Sequence, residues 1–177
     1  MNETLITLSL SAGADRAHVL PVSEIPFDKG LRAFCESNRC GHYNRNYACP
    51  PSVGTPDELI AQAKQYEQAL IVQTVSPLED SFDFEGMMDA AARHNELTNG
   101  LYERVKAEVG ACLPLSAGGC GVCEKCAKID NLPCRFPEKR ISSLEAYCMN
   151  VSKLAEKCGM KYINGQNTVT YFSAILF

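Results

Sequence analysis

"TVTYFSAILF", Thr168–Phe177, is apolar on both faces, rich in β-branched and aromatic residues, and free of proline. Such a run reads as a strand covered on both sides, the central strand of a sheet. A central strand needs neighbours. "ALIVQTVSP", Ala69–Pro77, is a second β-branched run, stopped by Ser76 and Pro77. "AHVLPV", Ala17–Val22, supplies a shorter partner. The opening "TLITLSL", Thr4–Leu10, alternates Ile6, Leu8 and Leu10 with Thr7 and Ser9, the period of a half-buried strand. "CLPLSAGG", Cys112–Gly119, reads as a further strand that delivers the chain to a loop.

Three helices are predicted between these strands. In "GTPDELIAQAKQYEQAL", Thr55 and Glu58 form a capping box, Pro56 takes the first helical position, and Leu59, Ala63, Tyr66 and Leu70 share a face. "FEGMMDAAARHNELTNGLYERVKAEV" carries Met87, Ala91, His94, Leu101 and Val105 near one stripe. "SSLEAYCMNVSKLAEKCG" offers a second capping box, Ser142 with Glu145, and a stripe of Leu144, Cys148, Val151, Ala155 and Cys158 ending at Gly159. The expectation is one metal-binding domain over residues 1–177: an α+β or α/β two-layer sandwich of a small sheet with about three helices. The cysteine-bearing loops, at about 35–55 and 118–140, would gather at one end of the sheet.

Composition narrows the function. With 46% hydrophobic residues in 177, the chain can bury a core without staples. A net charge of -4 argues against a dedicated nucleic-acid binder. There is no cationic leader with an apolar segment and no apolar stretch of membrane-spanning length, so a cytoplasmic protein without membrane contact is expected. Ten cysteines in a reducing compartment point to metal ligation or thiol chemistry rather than a disulfide framework.

Four of them lie in "GGCGVCEKCAKIDNLPCRFPEKR", Gly118–Arg140. The spacing C-x2-C-x2-C over Cys120, Cys123 and Cys126 lets three thiolates converge on one small object, and Cys134 follows after seven intervening residues. A 4Fe-4S cubane takes one thiolate per iron, and this pattern suits it. Zinc more often pairs two short knuckles across a spacer, and is the alternative. Gly118, Gly119 and Gly121 leave room for backbone N–H groups to approach the sulfurs. Lys125 and Arg135, with Lys128, Lys139 and Arg140, form either a basic rim for an anionic cofactor or partner or a solvated loop edge.

Upstream, "CESNRCGHYNRNYACPPSVGTP" holds Cys35, Cys40 and Cys49, the last followed by Pro50 and Pro51. Three arrangements stay open: a cluster with one iron free for a substrate, a cluster closed by a distant cysteine, or a single zinc or iron helped by His42. Burial of these thiols as small hydrophobes is the plain alternative, and the polar loop gives it little support. Cys112, Cys148 and Cys158 fall on apolar patterns and read as packing, with Cys112 the best spare ligand. His94, on its helical stripe, reads as a core histidine, and His18 has no partner in view.

The ordered set "CESNRCGHYNRNYACPPSVGTPDEL", "LSAGGCGVCEKCAKIDNLPCRFPEKR" and "SSLEAYCMNV" resembles a family of bacterial and archaeal predicted metal-binding proteins, a domain of unknown function. The resemblance spans nearly the whole chain. It implies metal binding through Cys35, Cys40, Cys49, Cys120, Cys123, Cys126 and Cys134, with Pro50, Pro51, Arg135 and Pro137 as accompanying features. Where relatives carry Gly-Ile-Asp, this chain has Cys148, Met149 and Asn150.

Other chemistries lack their signatures. The C-x3-C-x2-C of radical enzymes, the P-loop, the dinucleotide fingerprint and the nucleophile elbow are all missing. A thioredoxin-like exchange at Cys120 and Cys123 would leave Cys126 and Cys134 surplus. The expected function is a 4Fe-4S protein, with one cluster or two, in a ferredoxin-like electron-transfer role. Its partner would be a redox protein or a small anionic substrate. The alternatives are a zinc-stapled structural or interaction module and a small enzyme using an open-coordination iron near Cys35, Cys40 and Cys49.

Overall fold

The run Thr168–Leu176 is a strand, and it is central. In the computed structural model, which describes residues 1–177, five strands form one sheet: β1 (Arg16–Pro21), β2 (Gln68–Pro77), β3 (Leu113–Ser116), β4 (Ser142–Ser143) and β5 (Thr168–Leu176). Their order is β1-β2-β5-β3-β4. All neighbours are antiparallel except β3 and β4, which pair in parallel with Leu115 opposite Ser142.

Five helices accompany the sheet, more than the three expected: α1 (Asn2–Ser11), α2 (Arg32–Glu36), α3 (Pro56–Ala63), α4 (Phe84–Val109) and α5 (Val151–Lys157). Side chains alternate across a strand, so each face of the sheet needs its own cover. Ala69 and Ile71 of β2, with Phe172 and Ala174 of β5, pack with Leu59 of α3 and Leu154 of α5. The intervening Leu70, Val72 and Ile175 pack with Leu5 of α1 and Leu101 and Val105 of α4.

The cap predicted for α3 is present. Thr55 Oγ1 accepts from the Glu58 N–H at 3.3 Å, and Glu58 Oε2 accepts from the Thr55 N–H at 2.8 Å. Two local readings are corrected. "TLITLSL" is helix α1, not a strand: its buried positions are Leu5 and Ser9, four apart, and Ser9 Oγ donates to the Leu5 carbonyl at 2.8 Å. Covering the α4 side of the sheet needs apolar positions at helical spacing, which Leu5 and the half-buried Leu8 supply.

The second capping box does not form either. Ser142 and Ser143 pair with β3, and Ser143 Oγ accepts from the Ala146 N–H at 3.0 Å. Helix α5 begins later, with the Asn150 side chain accepting from the Lys153 N–H at 3.1 Å. Cys148, at φ 59, breaks helical continuity between the two points.

The connection between β3 and β4 positions the site. Parallel neighbours are usually joined through a helix, but residues 117–141 hold only two 3-10 turns, Ala127–Asp130 and Pro137–Lys139. Loops of this length without regular structure usually serve a function. Ala127 is the loop's one buried hydrophobic residue, so apolar packing does little to hold it. No helix of the chain is long and apolar enough to cross a membrane.

Candidate metal centre

Cys120, Cys123, Cys126 and Cys134 are free thiols, each half-buried, and all four line one small cavity. Val122, Ala127 and Phe136 contribute its apolar wall, while Asn46 and Tyr47 enter from the upstream loop. Cys126 leads directly into the 3-10 turn, and Asn131 at φ 56 reverses the chain toward Cys134.

The basic residues have divided roles. Lys125 pairs with Asp130 at 2.6 Å, so its charge is balanced within the loop. Arg135 Nη1 donates to the Lys125 carbonyl at 3.0 Å, and both Arg135 and Arg140 line the cavity. Lys128 lies over the Tyr47 ring at 5.6 Å and Lys139 over Phe136 at 5.6 Å.

The upstream thiols come from a helix and a turn. Cys35 is on α2, Cys40 is exposed in the following turn, and Cys49 is half-buried just before the cis Pro50–Pro51 bond. Burial raises the Cys35 thiol, opposed by the Arg32 charge. Burial pushes the Cys49 thiol up to about 12, with Cys40, Cys35, Cys120 and Cys126 adding to the effect. Cys49 thus stands between the two cysteine sets.

Asn46, which sequence reasoning missed, joins the loops. It is 4% exposed; its Nδ2 donates to the Cys120 carbonyl at 3.0 Å and its Oδ1 accepts from the Ala48 N–H at 2.9 Å. Tyr47 Oη adds a second tie, donating to the Leu132 carbonyl at 2.7 Å. Gly119 makes the approach possible. A Cβ there would lie 3.1 Å from Asn46 Nδ2, 3.5 Å from His42 Cγ and 3.6 Å from Cys49 Sγ. His42 is therefore at the junction too. Only the Cys-Pro-Pro sequence nearby hinted that this loop was shaped for contact.

Arg32 was also missed, because an arginine on a short polar helix gives no signal of burial. It is 8% exposed and donates through Nη1 to the Gly54 carbonyl at 2.9 Å and through Nη2 to the Ala146 carbonyl at 3.2 Å. Beside it, an open groove of about 580 Å³ runs between α2 and α3.

The remaining candidates sit in packing. Cys158 lies against the α3–α5 core and burial pushes its thiol up to about 11, while Cys112 lies against the α4 cluster with its thiol likewise raised by burial. His94 is a core residue whose Nδ1 pairs with Thr74 Oγ1 at 2.8 Å. Its Nε2 makes no well-formed hydrogen bond. His18 is half-buried on β1 opposite Ile71.

The donor set fits a sulfur-ligated metal centre: four thiols line one apolar-walled cavity, and Cys49 Sγ lies close to Gly119 where the two loops meet. No three His, Cys, Asp or Glu side chains converge as they would on a single ion.

No curated protein sequence matches the chain. A crystal structure of selenomethionine-labelled epoxyqueuosine reductase aligns over 98% of this chain and 44% of its own, with TM-score 0.46 and 12% identity. The chain thus spans less than half the length of that structure. Residues 18–177 match the family model described as predicted metal-binding protein (DUF2284), and the chain belongs to that family.

Proposed function

We propose that this protein is an iron–sulfur redox protein whose Cys120, Cys123, Cys126 and Cys134 hold a 4Fe-4S cluster. One observation carries the reading: the four thiols of a single C-x2-C-x2-C-x7-C loop line one cavity. That spacing suits a cubane, which takes one thiolate per iron, whereas zinc more often pairs two short knuckles across a spacer. Bound there, the cluster would supply one-electron transfer.

The chain's own residues tune such a centre. Val122, Ala127 and Phe136 keep water from the sulfurs, and Arg135 and Arg140 bring positive charge to an anionic group. Val122, Ile129, Leu132 and Phe136 are all exposed on the same loop. An apolar patch edged by lysine and arginine suits brief docking of an acidic redox partner or an anionic substrate.

The test is iron, zinc and acid-labile sulfide per chain on anaerobically purified protein, beside Cys123→Ser. Iron and sulfide in equal amounts, with about four of each lost in the variant, support the reading. Zinc without sulfide overturns it and leaves a metal-stapled binding module.

A further inference from the structure

A buried cation needs a counter-charge, and Arg32 has no carboxylate partner. Its Nη atoms donate to the Gly54 and Ala146 carbonyls, and its Nε has no partner. The chain's two carboxylate ion pairs are Lys29 with Asp57 and Lys125 with Asp130. A guanidinium enclosed this way is strongly unfavourable unless something anionic lies beside it.

Sulfur lies beside it. Arg32 and Cys35 are three residues apart on α2, the spacing that puts side chains on one face. The carbonyl it grips, Ala146, belongs to the turn that ends at Cys148. Arg32 thus reaches from the helix that carries Cys35 to the backbone two residues before Cys148, which brings the two cysteine-bearing segments together around one guanidinium.

Cys148 is itself unusual. It is fully buried, and its φ of 59 makes it the one residue other than asparagine or glycine in the left-handed region. Asparagine tolerates that conformation and cysteine does not routinely adopt it, so the surroundings must impose it. Its carbonyl accepts from the Asp28 N–H at 2.7 Å and its N–H donates to the Glu145 carbonyl at 2.9 Å, which pins it against the segment leading into α2.

We infer that Cys148 is the fourth thiolate of a second, anionic metal centre held by Cys35, Cys40 and Cys49, with Arg32 as its buried counter-charge. The apolar stripe that made Cys148 look like packing is interrupted before α5 begins, so Cys148 is not a position on that helix. The inference rests on the iron–sulfur reading, which makes the second centre polynuclear as well. Arg32 is a positioning and charge-balancing residue, set against the thiolates.

The experiment uses the full chain reconstituted anaerobically with iron and sulfide. It reads metal content, the electron paramagnetic resonance spectrum and midpoint potentials for wild type, Cys148→Gly, Arg32→Gln and Arg32→Lys. Glycine suits the left-handed backbone, so Cys148→Gly removes the thiol while preserving the fold, as circular dichroism will report. Wild type is expected to hold about eight iron and eight sulfide, two cubanes' worth. Cys148→Gly should lose about half, or convert one centre to a three-iron form. Arg32→Gln should lower the potential of one centre only, and Arg32→Lys should restore most of it. A wild type with about four iron, or a folded Cys148→Gly with full iron and an unchanged spectrum, overturns the second centre while leaving the proposed function standing. A wild type without iron or sulfide overturns both.

Discussion

Asn46 Nδ2 donates to the Cys120 carbonyl at 3.0 Å, across 74 residues of sequence, and this bond joins the two cysteine loops. Both ends are sheltered, so breaking it strands polar groups rather than returning them to water. Asn46→Ala should destabilise the protein by about 1–3 kcal/mol. It should also speed metal release to a chelator. Equal release rates for variant and wild type would show that the loops close without this bond.

Gly119 and Gly121 provide a matched pair. A Cβ at Gly119 would press on Asn46 Nδ2 and touch His42 and Cys49, whereas one at Gly121 meets nothing within 4 Å. Gly119→Ala should cost about 1–3 kcal/mol through overpacking and lower the metal bound per chain. Gly121→Ala should bind metal as wild type does. Metal analysis of the two side by side decides it.

His94 sets a limit on acid stability. Burial lowers its pKa from 6.5 to about 4, with only partial compensation from the Phe172 backbone. An unfolded chain binds the proton near 6.5, so between pH 6.5 and 4 the unfolded state holds more protons. The stability that neutral His94 contributes is present above that window and is lost as pH falls through it, on the order of 3 kcal/mol in all. His94→Gln should flatten this part of the stability profile. Denaturant titrations at pH 7 and pH 5 measure the slope.

The Thr55–Glu58 box caps the helix that follows the upstream cysteines. Thr55→Ala should cost about 1 kcal/mol, which lowers the melting temperature by roughly 2–4 °C in a chain of this size. Metal content should stay unchanged, since neither side chain reaches a sulfur. Melting curves with metal analysis on the same sample check both parts.

Much of the fold was legible where local chemistry and tertiary demand agree. Thr168–Leu176 was readable as central because residues on both of its faces are apolar, and both faces are covered. The α3 cap was readable because its four groups lie within one turn. "TLITLSL" was misread because seven residues satisfy both a period of two and an i, i+4 pair. What decides between them is the apolar surface of α4 and β2, far away in sequence. Ser142 was misread as a cap because its real partner is Leu115 on β3.

The cysteine spacings by themselves determined that Cys120, Cys123, Cys126 and Cys134 would lie close together, and they line one cavity, because a short loop confines its own residues. Only the tertiary structure decided that Asn46 bridges the loops, that Gly119 packs closely against Asn46, and that Arg32 reaches the Ala146 carbonyl of the 144–150 turn. Those relations depend on segments brought together by the sheet and by the 144–150 turn. Contacts between distant segments leave no periodicity or spacing for a sequence to display.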